Sequence, residues 1–83
     1  MQRNDKKTID TRTFPEIWAE LTDGEQSLLK DKLIDECRTT PKSVWAWRSG
    51  KQVPMFPNQR TIVATLARMG YKTTTRTLFP KEN

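Results

Sequence analysis

The chain has 83 residues, of which 34% are hydrophobic, and its formal net charge is +5. This length fits one small domain, and no apolar run approaches the roughly 20 residues that a membrane span needs. The polar N-terminus also lacks the apolar segment of a signal peptide, so we expect a soluble, cytoplasmic protein that does not contact a membrane.

The residue types argue against catalysis and metal binding. The sequence contains no histidine, and its one cysteine, Cys37, can form neither a zinc cluster nor an internal disulfide. Its three glycines form neither a phosphate-binding loop nor a dinucleotide-binding fingerprint. We therefore predict that the protein is not an enzyme and uses no metal, cofactor or small-molecule substrate.

Positive charge is concentrated in the second part of the sequence. Residues 1–37 contain nine acidic and six basic side chains, whereas residues 38–83 contain nine basic side chains and one acid, Glu82. Because a solvated surface usually mixes both signs, this separation favours a face that binds a polyanion. A basic half that serves only solubility is the alternative.

Residues 1–12 are polar and show no sustained apolar period, which predicts a flexible basic N-terminal arm. Such an arm can lie along DNA or enter its minor groove, and a leader without a role is the alternative. Its basic residues are Arg3, Lys6, Lys7 and Arg12.

Two capping boxes predict the first two helices. Thr13 with Glu16 marks the start of a helix over residues 14–21, and Thr22 with Glu25 marks the start of a helix over residues 23–37. In each helix the apolar residues recur at the spacing of one buried face. The inward residues are Phe14, Ile17, Trp18 and Leu21 in the first helix, and Leu29, Leu33, Ile34 and Cys37 in the second, with Leu28 at the border.

A short basic helix is predicted over residues 41–49. Thr40 is a good N-cap, Pro41 suits the first helical position, and Gly50 is a suitable C-terminal stop. Val44 and Trp47 share the inward face, and Arg48 and Lys51 place positive charge at the C-terminal end. The outward residues are Pro41, Lys42, Trp45 and Ala46.

A loop over residues 51–56 leads to a further helix that we expect Asn58 to cap and Gly70 to end. Residues 71–77 are predicted to be extended or a loose turn. The pair Leu78 and Phe79 is expected to fold back onto the core, with a dimer contact as the alternative. The inward residues of this helix are Ile62, Val63, Leu66, Ala67 and Met69.

The segment 33–54 carries a specific pattern of an aliphatic pair, a threonine cap, a β-branched residue, a large apolar residue, a glycine and a closing proline. These residues are Leu33, Ile34, Thr40, Val44, Trp47, Gly50 and Pro54. The pattern resembles the helix-turn-helix of the Cro and phage-repressor family, the lambda-repressor-like or XRE-type DNA-binding domains. The apolar helix and the Leu-Phe pair that follow extend the similarity over most of residues 14–80.

The resemblance implies a compact, all-α, lambda-repressor-like domain of four to five helices over residues 13–80, followed by a tail at residues 81–83. In that family the second helix of the motif enters the major groove of DNA. The implied base contacts are Thr40, Pro41, Lys42, Trp45 and Ala46. The implied phosphate contacts are Arg48, Lys51, Gln52 and Arg60.

Two positions differ from the family pattern. Ile34 stands where a small residue is usual, and Arg38 stands where the turn usually has glycine. A non-glycine residue at positive φ carries a steric cost, so we expect an altered or slightly longer turn.

Trp45 is expected to be largely exposed, because Val44 and Trp47 already face inward. It would then contact a DNA sugar, a thymine methyl group or another protein. A local rotation that buries Trp45 in the core is the alternative.

We therefore expect a sequence-specific double-stranded DNA-binding protein, a small transcriptional regulator of the Cro or repressor type from a phage or mobile element. One recognition helix reads few base pairs, so a homodimer on a two-fold operator is expected. The alternative is a protein-interaction module, such as a phage-encoded inhibitor or adaptor, that uses Trp45 and the basic face on an acidic partner. RNA binding is less favoured because the aromatic residues form no recognised RNA-stacking motif.

Overall fold

The computed structural model of the protein describes residues 9–80, which form five α-helices and no strand. The predicted compact, all-α class with four to five helices is therefore confirmed. None of these helices is long and apolar enough to cross a membrane. The helices are α1 (Phe14–Glu20), α2 (Asp23–Glu36), α3 (Pro41–Arg48), α4 (Phe56–Arg68) and α5 (Thr75–Leu78).

Threonine side chains start the first three helices, as the sequence predicts. Both capping boxes form, with the amide of Thr13 donating to Glu16 Oε1 at 2.8 Å and the amide of Thr22 donating to Glu25 Oε1 at 2.9 Å. Thr40 Oγ1 accepts the third cap bond from the amide of Ser43 at 3.2 Å. Each cap satisfies amides that a helix leaves without an internal partner, which fixes where the helix begins.

Helices α2, α3 and α4 are each followed, one residue after the C-cap, by a residue with positive φ. Gly50 has φ of 83° and Gly70 has φ of 99°, whereas α2 is followed by a non-glycine residue, Arg38, at 54°. After Arg38, the amide of Thr39 donates to the carbonyl of Ile34 at 3.1 Å, which is the long bond of a Schellman cap. Arg38 thus closes the turn in the conformation that glycine usually supplies, and the expected altered or longer turn is not required.

Helix α4 begins earlier than the sequence predicted. The expected cap at Asn58 is wrong, because the helix starts at Phe56 and Met55 occupies the N-cap position without a side-chain hydrogen bond. Pro57 lies in the first turn, where its missing amide costs nothing and its fixed φ favours the helix. The amide of Asn58 donates to the carbonyl of Met55 at 2.9 Å.

The C-terminal segment also differs in part from the prediction. Residues 71–74 are not helical, but Thr75–Leu78 forms one helical turn with a capping box between Thr74 and Thr77. The prediction that Leu78 and Phe79 fold back onto the core is confirmed, since they are 1% and 6% exposed.

One hydrophobic core joins the helices. Helix α3 packs against α1 and α2, and α4 packs against α2 and α5. The aromatic rings of Phe14 and Phe79 lie 5.8 Å apart and link α1 to the C-terminal segment. The buried apolar residues are Phe14, Ile17, Trp18, Leu21, Leu29, Leu33, Val44, Trp47, Ile62, Leu66, Leu78 and Phe79.

The inward face of α4 is only partly as predicted. Ala67 is exposed, so its expected inward position is wrong, and the polar side chains of Gln59 and Thr65 are buried instead. Each has a backbone partner, since Gln59 Nε2 donates to the carbonyl of Pro54 at 2.9 Å and Thr65 Oγ1 donates to the carbonyl of Thr61 at 2.8 Å. Five apolar residues, on α4 and elsewhere in the fold, are partly buried against the core: Ile34, Cys37, Val63, Met69 and Tyr71.

The predicted N-terminal arm lies largely outside the described residues, as does the predicted tail at residues 81–83. Within residues 9–12, the amide of Asp10 donates to the carbonyl of Lys72 at 2.8 Å. The side chains of Arg12 and Asp10 also form an ion pair at 2.8 Å. Hydrogen bonding from the Arg12 side chain lowers the pKa of the Asp10 carboxyl.

We predict that Arg38→Gly stabilises the protein by about 0.5–1 kcal/mol. Glycine removes a left-handed conformational cost of about 1–2 kcal/mol, part of which is offset by its greater freedom in the unfolded chain. Urea unfolding followed by circular dichroism measures the change, and Arg38→Ala is the control because it removes the same charge but keeps the strain. Equal stability of the two variants would contradict the assignment of strain to Arg38.

Candidate nucleic-acid interface

Helix α3 presents one buried edge and one exposed face. Val44 and Trp47 are 1% and 6% exposed, whereas Trp45 is 43% exposed and Lys42 lies on the surface. The inward positions predicted for Val44 and Trp47 are therefore confirmed. The local rotation that would bury Trp45 does not occur.

The exposed face of α3 borders a groove of about 490 Å³, which we call the α3 groove. It brings together three residues predicted to contact bases and two predicted to contact phosphates, along with one residue that the sequence analysis did not select. Its lining residues are Lys42, Ser43, Trp45, Ala46, Lys51 and Gln52.

The C-terminal turn of α3 folds the loop back to form one wall of the α3 groove. The amides of Lys51 and Gln52 both donate to the carbonyl of Ala46, at 2.9 and 3.1 Å. This reversal depends on Gly50, whose φ of 83° lies in the left-handed region that side chains disfavour. Residues that follow the helix are thereby brought beside the side chains on its surface.

Lys51 also makes a direct contact with the exposed tryptophan. Its Nζ lies 5.7 Å from the centre of the Trp45 ring, within the range of a cation–π interaction. The ammonium group therefore sits against one apolar surface in the α3 groove, where an anionic ligand would find both a charge and an aromatic neighbour.

Thr40 and Pro41 lie at the N-terminal end of α3 and are exposed, but they are not among the residues that line the α3 groove. The hydroxyl of Thr40 accepts the amide of Ser43 and donates to Ser43 Oγ at 3.3 Å. Its donor and one of its two acceptor positions are thus already used in capping, which reduces what it can offer to a base.

Ser43 is the lining residue that sequence reasoning missed. Its spacing of three from Thr40 was the available signal, because residues three apart at a helix start share one side and one capping bond. Its side chain adds an uncharged hydroxyl to the lining of the α3 groove.

Arg48 does not line the α3 groove. Its guanidinium carbon lies 5.2 Å from the centre of the Trp18 ring, so the side chain rests on α1. It borders a separate cleft, which we call the Arg48 cleft. The other lining residues are Trp18, Asp23, Gln26, Ser27 and Lys30, four of them in the first part of α2.

Two basic side chains of α4 differ in their surroundings. Arg60 is exposed and lines neither the α3 groove nor the Arg48 cleft. Arg68 lies 3.5 Å from Glu36 of α2, so part of its charge is already compensated within the protein.

Cys37 has the surroundings of a packing residue. It is partly buried against the core, and burial raises the pKa of its thiol, with a smaller contribution from the charge of Glu36. A raised pKa reduces the reactive thiolate at neutral pH. Residues 9–80 also contain no group of three acidic or cysteine side chains placed to hold a metal ion.

Comparisons with protein-family models, with curated proteins and with solved structures gave no match for this chain. The family resemblance therefore rests on the residues of the helix-turn-helix pattern, and its functional implications stay predictions.

We predict that Trp45→Ala and Trp47→Ala differ sharply in their effect on stability. Removing the buried Trp47 should lower the free energy of unfolding by about 3–5 kcal/mol, because it leaves a cavity between α3 and the core. Removing the exposed Trp45 should cost less than about 1 kcal/mol, mainly through the lost contact with Lys51. Urea unfolding checks both values, and a loss of several kcal/mol for Trp45→Ala would identify that side chain as part of the core.

Proposed function

We propose that this chain is a sequence-specific double-stranded DNA-binding protein, a small transcriptional regulator that inserts α3 into the major groove. The single observation that carries the proposal is the α3 groove, where Lys42, Trp45 and Ala46 on an exposed helix face adjoin Lys51 and Gln52 from the following loop. An α-helix fits the major groove of DNA, and the base edges exposed in that groove distinguish all four base pairs.

The base-reading residues offer two kinds of contact. The ammonium of Lys42 can donate to guanine O6 or N7, which is a common specific contact in the major groove. The methyl group of Ala46 and the ring of Trp45 are apolar and can meet a thymine methyl group. The α3 face therefore favours a site in which a guanine lies close to a thymine.

Phosphate contacts set the position of α3 without reading sequence. Lys51 is the best placed of the predicted phosphate ligands, because its backbone amide is hydrogen-bonded to the end of α3 and its side chain lines the α3 groove. Arg48 approaches from another side, beside Lys30, and would serve a phosphate farther along the backbone. Charge in residues 38–83 supports such contacts, with nine basic side chains against one acidic one.

The exposure of Trp45 supports a second candidate function. A tryptophan that is 43% exposed beside a lysine suits the anchor of a protein interface as well as a DNA contact. In this alternative the protein is an interaction module, such as an inhibitor or adaptor, and the α3 groove binds an acidic partner.

Selection of bound duplexes from a random pool tests the first candidate. We expect one preferred sequence to emerge and Lys42→Ala to lose discrimination at one base pair, by about 1–3 kcal/mol, while binding to scrambled DNA changes less. The matched control is Lys32→Ala, which removes the same charge from the exposed surface of α2 and should leave the preference unchanged.

Two results would contradict the DNA proposal. One is the absence of binding to any duplex at low salt. The other is equal affinity for selected and scrambled DNA, with Lys42→Ala and Lys32→Ala behaving alike. Either result would favour the interaction module. An acidic protein partner would then be sought, and a genuine partner should bind the wild type but not Trp45→Ala.

We predict that the affinity for DNA falls linearly with salt on a log–log scale. The slope should correspond to about three to six phosphate contacts, since each contact releases counterions from DNA. Lys51→Ala should weaken binding to all sequences and reduce the slope by about one contact. Fluorescence anisotropy of a labelled duplex measures both, and an unchanged slope in Lys51→Ala would remove Lys51 from the phosphate contacts.

A further inference from the structure

A second cavity shares the loop after α3 with the α3 groove. This cavity, which we call the apolar pocket, has a volume of about 230 Å³ between the start of α1, that loop and the C-terminal segment. Gln52 and Val53 of the loop line the apolar pocket and are exposed, which places them at its mouth. Core side chains form its inner wall, and the buried lining residues are Trp47, Leu78 and Phe79.

The lining of the apolar pocket favours an uncharged ligand. None of the nine described residues that line it has a charged or titratable side chain. The hydroxyl of Thr13 is used in capping, since it accepts the amide of Glu16. The side-chain amide of Gln52 makes no hydrogen bond within residues 9–80, so it can meet one polar group of a ligand. A charged ligand would lose its hydration without finding an ionic partner.

The volume of the apolar pocket sets the size of the ligand. An apolar cavity of about 150 Å³ takes one benzene ring. In proportion, about 230 Å³ takes a molecule of about nine non-hydrogen atoms, which is a two-ring aromatic such as indole. Indole also has one N–H group, which the side-chain carbonyl of Gln52 can accept.

Other occupants match the apolar pocket less well. Residues 1–8 and 81–83, which lie outside the described part of the chain, contain one apolar side chain, Met1. A sphere of 230 Å³ has a surface of about 180 Å², far below the roughly 800 Å² that each partner of a stable protein complex covers. The apolar pocket therefore suits a small molecule better than a protein.

We propose that the apolar pocket is an effector site for a small, uncharged aromatic molecule of about the size of indole. The buried rings of Trp47 and Phe79 supply apolar contacts, and Gln52 supplies one polar contact at the mouth. The ligand acts as an effector rather than a substrate, because the described lining has no titratable group that could transfer a proton.

The loop after α3 couples the apolar pocket to the α3 groove. Gln52 lines both cavities, and the amides of Lys51 and Gln52 are held by the carbonyl of Ala46. A ligand in the apolar pocket favours the loop position that forms the pocket, and in that position Lys51 lies against Trp45 in the α3 groove. The ligand should therefore tighten DNA binding, and this part of the inference rests on the proposed function.

Binding is tested first without DNA, by titrating indole into ¹⁵N-labelled protein and following its N–H resonances by NMR. We expect saturable shifts at the amides of Gly50, Gln52 and Val53 and at the side-chain N–H of Trp47, with a dissociation constant of about 1 mM or lower. The amide of Leu28 on α2 should not shift. Indole-3-acetate, which carries the same ring with a negative charge, should bind about tenfold more weakly.

Two variants locate the ligand. Val53→Asp places a charge at the apolar pocket and should weaken indole binding about tenfold. Met55→Asp is the matched control, because it makes an equivalent change two residues along the loop at a position that does not line the pocket. Indole should raise the midpoint of thermal unfolding of the wild type and of Met55→Asp by the same amount, and that of Val53→Asp much less, since a ligand stabilises only the state that it binds.

The coupling is tested by fluorescence anisotropy of a labelled duplex with and without saturating indole. We expect indole to tighten DNA binding by about fivefold in the wild type and to have no effect at the same concentration in Val53→Asp. Saturable indole binding with unchanged DNA affinity would overturn the effector role.

The remaining outcomes separate this proposal from the proposed function. Absence of saturable shifts around the apolar pocket would mean that it is closed or filled by another part of the protein, and would overturn the effector site. Equal indole affinity of Val53→Asp and Met55→Asp would also overturn it. Absence of DNA binding with and without indole would contradict the proposed function, whereas the NMR titration would still decide whether indole occupies the apolar pocket.

Discussion

The structure depends on the burial of two side chains from the short helix α3. Helix α3 has eight residues, too few to persist in water without tertiary support. Val44 and Trp47 supply that support, since both are almost fully buried where α3 meets α1 and α2. The Thr40 cap and the Gly50 turn then fix the two ends of α3, so the orientation of its exposed face follows from the core.

Much of the fold could be predicted because the starts of most helices are set by residues next to them in the sequence. Thr13, Thr22 and Thr40 each place a hydrogen-bond acceptor next to the first amides of a helix, and the structure uses all three. The start of α4 could not be predicted in this way. Met55 has no capping chemistry, and the constraint that sets the start is the fixed φ of Pro57. The burial of Gln59 was not predicted either, because its side chain is satisfied by the carbonyl of Pro54 in the preceding loop, a bond that no capping pattern indicates.

Part of the candidate site follows from the local sequence, and part depends on contacts between residues far apart in the sequence. Helical spacing places Lys42, Trp45 and Ala46 on one face, and the Gly50 turn places Lys51 and Gln52 beside them. Arg48 lies on the same short helix, but its long side chain rests on Trp18 of α1. That contact joins residues 30 positions apart in the sequence, so no local pattern indicates it.

The distribution of the three tryptophans has an optical consequence. Trp18 and Trp47 are 8% and 6% exposed, whereas Trp45 opens into the α3 groove. A water-borne quencher such as iodide or acrylamide would therefore reach Trp45 well before the other two. The unlabelled protein thus carries its own fluorescent reporter inside the groove, and any molecule that occupies the groove will shield that emission while the signal of the core stays constant.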